Sequence, residues 1–392
     1  MRRPSKTLQT AATADEAGSI GSELAVEQEA LDIREILPFA EAIRSGKLVI
    51  FPTETVYGLG ADARSSQAVE GIFALKGRPK SDPLIVHWHG SGTAAFDAAL
   101  RAGIVEENRC TKGQLNAARR LAEKYFPGPV SIVLPLGLGV TPEVSGGTGY
   151  VALRVPAHPV AQALLTACEV PVAAPSANRF TELSPTTLHD AQASLGYPAD
   201  VRCLDGGPCT LGLESTVVRL TAEGNVCILR PGTVGREDIE ALGLPCPAAA
   251  PGALNPTALS PGQTPRHYAP RTPLLKVPFG INDNAGDTLA MALAQLAERR
   301  VALISVFELQ GSAAVATREA GKRAAVASLD LFSFAAEPRP GALSLVGTSF
   351  YACLRRIDAL GYDAIIVEEA PPDGSAWSLA LLDRLQRAST PA

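Results

Sequence analysis

Apolar residues first recur at helical spacing from Leu31. Leu31, Ile36, Leu37, Ala40 and Ile43 would share one face, and Gly46 closes the run. Residues 47–51 are a short apolar stretch stopped by Pro52, the pattern of a buried strand. The same reading predicts helices over 66–76, 116–125 and 159–167, and strands over 84–87, 130–134, 151–155 and 170–174. Residues 217–220 and 226–229 flank Glu223-Gly224 as the arms of a hairpin. Strands of mixed spacing with helices between them predict an α+β or mixed-sheet α/β domain over 31–244. From Leu274 the alternation becomes regular. Strands are expected at 274–279, 301–307, 329–334 and 364–367, and helices at 288–299, 319–327 (weakened by Gly321), 348–360 and 375–387. Such alternation predicts a small parallel, doubly wound domain over 274–392.

Composition changes this picture at two places. Residues 1–30 are polar and Ala-rich and read as a disordered leader. Residues 245–273 carry eight prolines and read as an extended linker, yet His267 and Tyr268 sit in it, which a pure spacer does not need. The net charge of −5 excludes a globally basic nucleic-acid coat, though not a local basic groove. No apolar run reaches the ~18 residues of a membrane span. Seven scattered cysteines without a Cys-x-x-Cys argue against a disulfide framework or a structural zinc, and a reducing cytoplasm is the expected location.

The chemistry concentrates at strand and helix ends. Residues 51–60, Phe-Pro-Thr-Glu-Thr-Val-Tyr-Gly-Leu-Gly, run from a strand into hydroxyls, a carboxylate and two glycines, which suits either a tight turn or a ligand loop. Lys76, Arg78 and Lys80 crowd a helix end and its following turn, as simple capping charges or as an anion site, with His87 four residues past Pro83. Ser176 and Asn178 follow a strand at the end where open α/β sheets bind ligands. Ser184 is the expected N-cap of a helix from Leu188. Ser215 enters a strand from a Gly-rich loop, Arg230 leaves one before Pro-Gly, and Arg154 lies among apolar strand residues, where a charge needs a partner. There is no nucleophile-with-base pattern and no metal-ligand spacing, so no metal site on the protein is expected. Lys, Arg, Thr, Ser and Asn together suit a polyanion and a transfer reaction driven by positioning and charge neutralisation.

At these residues the chain resembles the threonylcarbamoyl-adenylate synthases with their YrdC-like domain. The matching segments are PTETVYGLGADA (52–63), FALKGRPKSDPLIVH (73–87), FPGPVSIVL (126–134), VALRVPAHP (151–159), PSANRFTELSPT (175–186), GGPCTLGLESTVV (206–218) and LRPG (229–232), in order. SPGQTPRHYAPRTPL (260–274) looks like the family's linker, and the tail is similar to the C-terminal Rossmann-like domain of its long members. The resemblance implies a twisted open mixed α/β sheet and condensation of L-threonine, bicarbonate or CO2, and ATP (with Mg2+) into threonylcarbamoyl-AMP and pyrophosphate. It also implies a downstream tRNA threonylcarbamoyl transfer machinery and contact with tRNA or double-stranded RNA.

Carried over by position, Thr53, His87, Arg154 and Ser215 would hold L-threonine. Arg78, Asp82, Ser176, Asn178, Ser184, Arg230 and Tyr268 would face ATP, and Lys76, Arg78, Ser176 and Asn178 would stand at the reacting centre. The chain departs from the family pattern at Asp82, usually Asn, and at Thr181, usually Gly. Two alternatives are a carbamoyl-adenylating relative and an RNA-binding module. The C-terminal domain shows no Gly-rich phosphate loop, so a lid-anchoring or regulatory role is expected of it.

Overall fold

The computed structural model describes residues 33–247, 259, 266–281, 286–309, 311–335 and 341–389. The expected leader and most of the Pro-rich stretch lie outside the described residues. The first domain holds α1 (Ile33–Arg44), β1 (Val49–Phe51), β2 (Gly58–Asp62), α2 (Ser66–Lys76), β3 (Ile85–His87), α3 (Gly92–Arg101), α4 (Lys112–Tyr125) and β4 (Val130–Pro135). It continues through β5 (Tyr150–Arg154), α5 (Pro159–Cys168), β6 (Val172–Ala173), α6 (Leu188–Leu195), β7 (Arg202–Cys203), β8 (Thr216–Leu220), β9 (Val226–Arg230) and α7 (Arg236–Glu240).

Its strands form one mixed sheet in the order β7-β1-β2-β6-β3-β5-β4-β8-β9. Side chains alternate across it. Val49 and Phe51 face α1 and α5, while Ile50, with Leu59 and Val86, joins the core under α2, α3 and α4. Both faces are covered, which is why these strands read as continuous apolar runs.

Two boundaries show the local physics. Helix α2 starts at Ser65, whose hydroxyl accepts from the Ala68 amide, and ends at Gly77, whose φ of 64° is the left-handed cap that releases the chain toward Arg78. Helix α4 begins four residues before the apolar pattern predicted, because Thr111 and Gln114 form a reciprocal capping box ahead of the first buried residue. The Gly-rich stretch after Phe51 is strand β2, not only a loop. Its Gly60 lies under the Phe51 ring, where a Cβ would stand 2.8 Å from Cε1. Helices α3 and α7 have no counterpart in the pattern reading.

The second domain comprises β10 (Leu274–Val277), α8 (Gly286–Ala294), β11 (Arg300–Phe307), α9 (Gly311–Arg323), β12 (Ser328–Ala335), α10 (Ala342–Asp358), β13 (Ala364–Glu368) and α11 (Ala376–Ala388). Its sheet, β10-β13-β11-β12, is parallel throughout, as the alternation predicted. Helix α9 lies earlier than the expected 319–327, because the small residues from Gly311 are helical and Gly321 is kept inside the helix against Leu329. Helix α10 likewise starts before 348. Its Gly347 packs under Trp377 of α11, where a Cβ would meet Cζ3 at 2.2 Å.

The core between the second sheet and α10 and α11 runs on into the first domain. It includes Val56, Leu183, Leu213 and Tyr268. Gly212 abuts the backbone of Thr348, so the two domains touch at backbone distance beside the strand ends that carry the polar residues.

Candidate active site

Those strand ends converge on one cavity. Thr53 follows β1, Gly58 opens β2, His87 and Arg154 end β3 and β5, Ser176 follows β6, Glu214 precedes β8 and Arg230 ends β9. Arg78, from the turn after α2, and His267 and Tyr268, from the linker, complete the wall. The cavity holds about 40 Å3 of open space, room for a water or so.

One side carries Thr53, His87 and Arg154. Thr53 Oγ1 donates to the Val56 carbonyl at 2.6 Å and shares a 2.8 Å contact with Thr55 Oγ1, so its rotamer is set by its own turn. Arg154 forms a 2.8 Å ion pair with Glu54, and both are buried. The other Glu54 oxygen accepts from the Ala157 amide, so the carboxylate is held at both ends. His87 stacks edge-on to Phe51, and its Nδ1 has no hydrogen-bond partner among the described residues. Burial, with Arg154 adding to it, pushes its pKa down to about 3, so the ring is neutral at physiological pH.

The other side is cationic. Arg78 Nη2 reaches the Pro83 carbonyl at 2.9 Å and Asp82 Oδ1 at 3.0 Å. Burial raises the Asp82 carboxyl even though Arg78 opposes it, and burial also lowers Arg78. Desolvation therefore outweighs the attraction within this pair. Arg230 donates through Nε and Nη2 to the Ser215 carbonyl and through Nη2 to its hydroxyl, and Ser215 Oγ meets Ser131 Oγ at 2.8 Å.

The structure thus brings Thr53, Arg78, His87, Arg154, Ser176, Arg230 and Tyr268 to one cavity wall. Five other expected residues stand behind it. Lys76 is buried, and its ammonium donates to the Ser176 and Asn178 carbonyls. Burial, then Arg78, holds its pKa well below the lysine range. Asn178 Nδ2 braces its own turn through the Arg179 and Glu182 carbonyls. Asp82 lies behind Arg78, and Ser215 beneath Arg230. Ser184 caps no helix. Thr187 caps α6, and Ser184 Oγ donates instead to Glu214 Oε1 at 2.5 Å.

The residues that pattern reading missed are mostly carboxylates and distant partners. Glu54 lies inside the Pro52–Gly60 stretch, but nothing in its spacing names Arg154 as its partner. Glu214 is held by Ser184, by Tyr351 of α10 and by Arg384 of α11. Burial alone would raise its pKa, but Arg384 and Arg230 lead the effects that hold it below the usual glutamate range. Among the described residues, no group of three or more His, Cys, Asp or Glu side chains could hold a metal ion.

Sequence and structure comparisons agree on what this arrangement is related to. The Sua5-YciO-YrdC family model, described as telomere recombination, matches residues 41–232, and the model of the threonylcarbamoyl-AMP synthase C-terminal domain matches 234–390. The threonylcarbamoyl-AMP synthase of Pyrococcus abyssi is 35% identical over 353 residues, covering 88% of this chain and 92% of that one. The chain belongs to the threonylcarbamoyl-AMP synthase family. The Bacillus subtilis synthase is 33% identical over 358 residues, covering 91% and 93%. The crystal structure of P. abyssi Sua5 complexed with L-threonine superimposes with a TM-score of 0.74 at 32% identity, covering 92% of this chain and 96% of that one. Both domains of the synthase architecture are therefore present, including the parallel four-stranded sheet of the second.

Proposed function

We propose that this protein is an L-threonylcarbamoyladenylate synthase that joins L-threonine, bicarbonate or CO2, and ATP, releasing pyrophosphate, to supply tRNA modification. The observation that carries this reading is the convergence of Arg78, Arg154 and Arg230 with Thr53 and Ser176 on one cavity, with Lys76 fixing its rear wall. That set can grip an amino acid and a polyphosphate side by side, and no step asks the protein for a covalent bond.

The threonine amine adds to CO2, loses a proton and becomes a carbamate. A carbamate oxygen then attacks the α-phosphorus, and the bond to the β-phosphate oxygen breaks as pyrophosphate leaves. Thr53, His87 and Arg154 form the threonine side in this reading, and neutral His87 serves as a hydrogen-bonding group rather than a charge. Arg78 and Arg230 meet the phosphates, with Ser176 beside the reacting centre and Tyr268 closing over the nucleotide. Asp82, Asn178, Ser184 and Ser215 act at one remove, by holding Arg78, the Ser176 turn, Glu214 and Arg230. Bound magnesium would supply neutralisation of phosphate charge and would be held by the triphosphate itself, since Glu214, the carboxylate on the wall, is already bound by three partners. A nucleotide needs a pocket of several hundred Å3, so the wall of this cavity must open to admit it.

All seven cysteines are free thiols, which supports a reducing compartment such as the cytoplasm. No helix among the described residues is long and apolar enough to cross a membrane. The product is a mixed anhydride, an activated donor of the kind a downstream transfer machinery acting on tRNA would consume. Mass spectrometry of the product from labelled threonine, bicarbonate and ATP tests the reading. Threonylcarbamoyl-AMP, formed only when all three are present, is the expected result; pyrophosphate release indifferent to threonine would overturn it.

A further inference from the structure

Glu214 is an anion in the wall of a cavity assigned to a polyanion, and the groups that neutralise it come largely from the other domain. Its Oε2 accepts from Arg384 Nε at 2.9 Å, and Tyr351 Oη lies 3.0 and 3.1 Å from its two oxygens. Arg384 is completely buried, a state an arginine tolerates only when its charge is matched. It does more than pair with Glu214. Its Nη1 donates to the Pro231 carbonyl at 2.7 Å, next to Arg230, and to Asp383 at 2.9 Å. Its guanidinium carbon stands 5.2 Å from the Tyr268 ring centroid, and the Tyr268 and Tyr351 rings are 6.0 Å apart. One side chain of the second domain thus touches the wall carboxylate, the backbone after Arg230 and the lid tyrosine.

We propose that Arg384 and Tyr351 are positioning residues of the nucleotide site, through which the C-terminal domain completes the catalytic cavity by neutralising Glu214 and seating Tyr268. The inference rests on the ATP-dependent reading above. An unpaired Glu214 would oppose the phosphates across a short distance in a poorly screened space. With Arg384 in place, its charge is compensated before the nucleotide enters. The domain then has a role in the reaction that requires no ligand of its own.

The test uses the full-length chain with Arg384→Met, Glu214→Gln and the double variant. KM for ATP and for L-threonine are measured with pyrophosphate release, and binding of a non-hydrolysable ATP analogue is measured by calorimetry. Arg384→Met is expected to raise KM for ATP and the analogue Kd roughly tenfold or more, with KM for threonine changed far less. Adding Glu214→Gln should recover most of that loss, because the anion that needed a partner is gone. Equal losses for both substrates, or a double variant no better than Arg384→Met, would reduce the contact to domain docking and overturn the proposal. If Arg384→Met does not fold, Tyr351→Phe and Arg384→Lys make the same comparison, with smaller losses again confined to the nucleotide. The analogue separates the two readings. Binding with the expected pattern but no threonine-dependent product would sink the reaction and keep the positioning role. No analogue binding by the unaltered protein would sink both.

Discussion

Lys76, in the last turn of α2, donates its amino group to the carbonyl oxygen of Ser176 at 2.6 Å, across 100 residues of sequence. The same amino group reaches the Asn178 carbonyl, so a buried donor ties a helix end to the turn that presents Ser176 to the cavity. The turn is also held by backbone bonds, the Ala177 amide to the Tyr57 carbonyl and the Phe180 amide to the Lys76 carbonyl, so the amino group adds to a braced turn.

Lys76→Met should therefore strand two carbonyls. A loss of about 2–4 kcal/mol in stability is expected, with a fall in kcat larger than any rise in KM for threonine. Thermal melting and pyrophosphate-release kinetics check this. A variant that melts and turns over like the parent would mean that the turn holds itself.

Glu54 and Arg154 are a buried pair, and removing one partner leaves the other charged without compensation. Glu54→Gln should cost about 3–5 kcal/mol, partly offset by the amide oxygen that can still accept from Ala157. Glu54→Gln with Arg154→Met should cost less than the two single changes added together. Urea unfolding of all three variants measures the coupling, and strict additivity would contradict it.

Asp82 sits behind Arg78, with its second oxygen lacking a partner among the described residues. Asp82→Asn keeps an acceptor for the guanidinium and removes a negative charge from behind the cavity. KM for ATP should fall by about two- to fivefold. Asp82→Ala, which leaves the Arg78 fork only its two backbone acceptors, the carbonyls of residue 82 and Pro83, should raise it. Steady-state kinetics on the pair distinguishes these signs.

His87 titrates at about 3 when folded, against the ordinary 6.5. Between these values the unfolded chain binds a proton that the folded chain refuses. Stability should therefore fall as pH drops from about 6.5 toward 3, at up to about 1.4 kcal/mol per pH unit from this group. His87→Gln should flatten that part of the curve, and urea midpoints across the range report it. Unchanged pH dependence in the variant would assign the acid sensitivity elsewhere.

Legibility from the chain followed the range of the forces involved. The strand–helix alternation after Leu274 and the limits of α2 depend on period, caps and turn glycines, all short in sequence, and both are visible there. Strand β2 was obscured because its glycines disfavour a strand in isolation, and only the Phe51 ring lying over Gly60 makes them necessary. Ser184 shows the same limit at the site. Its spacing suits a cap, but the Glu214 carboxylate, 30 residues on, takes its hydroxyl.

By itself the sequence determined the two-domain α/β plan and the family, because apolar periodicity and ordered motifs are local records of the fold. The tertiary structure alone decided which polar groups face the cavity and which hold others in place. It turned Lys76, Asp82 and Ser215 inward as supports, and it brought Arg384 to Glu214 across 170 residues. A buried charge must find its partner in space, and no spacing along the chain records where that partner will stand.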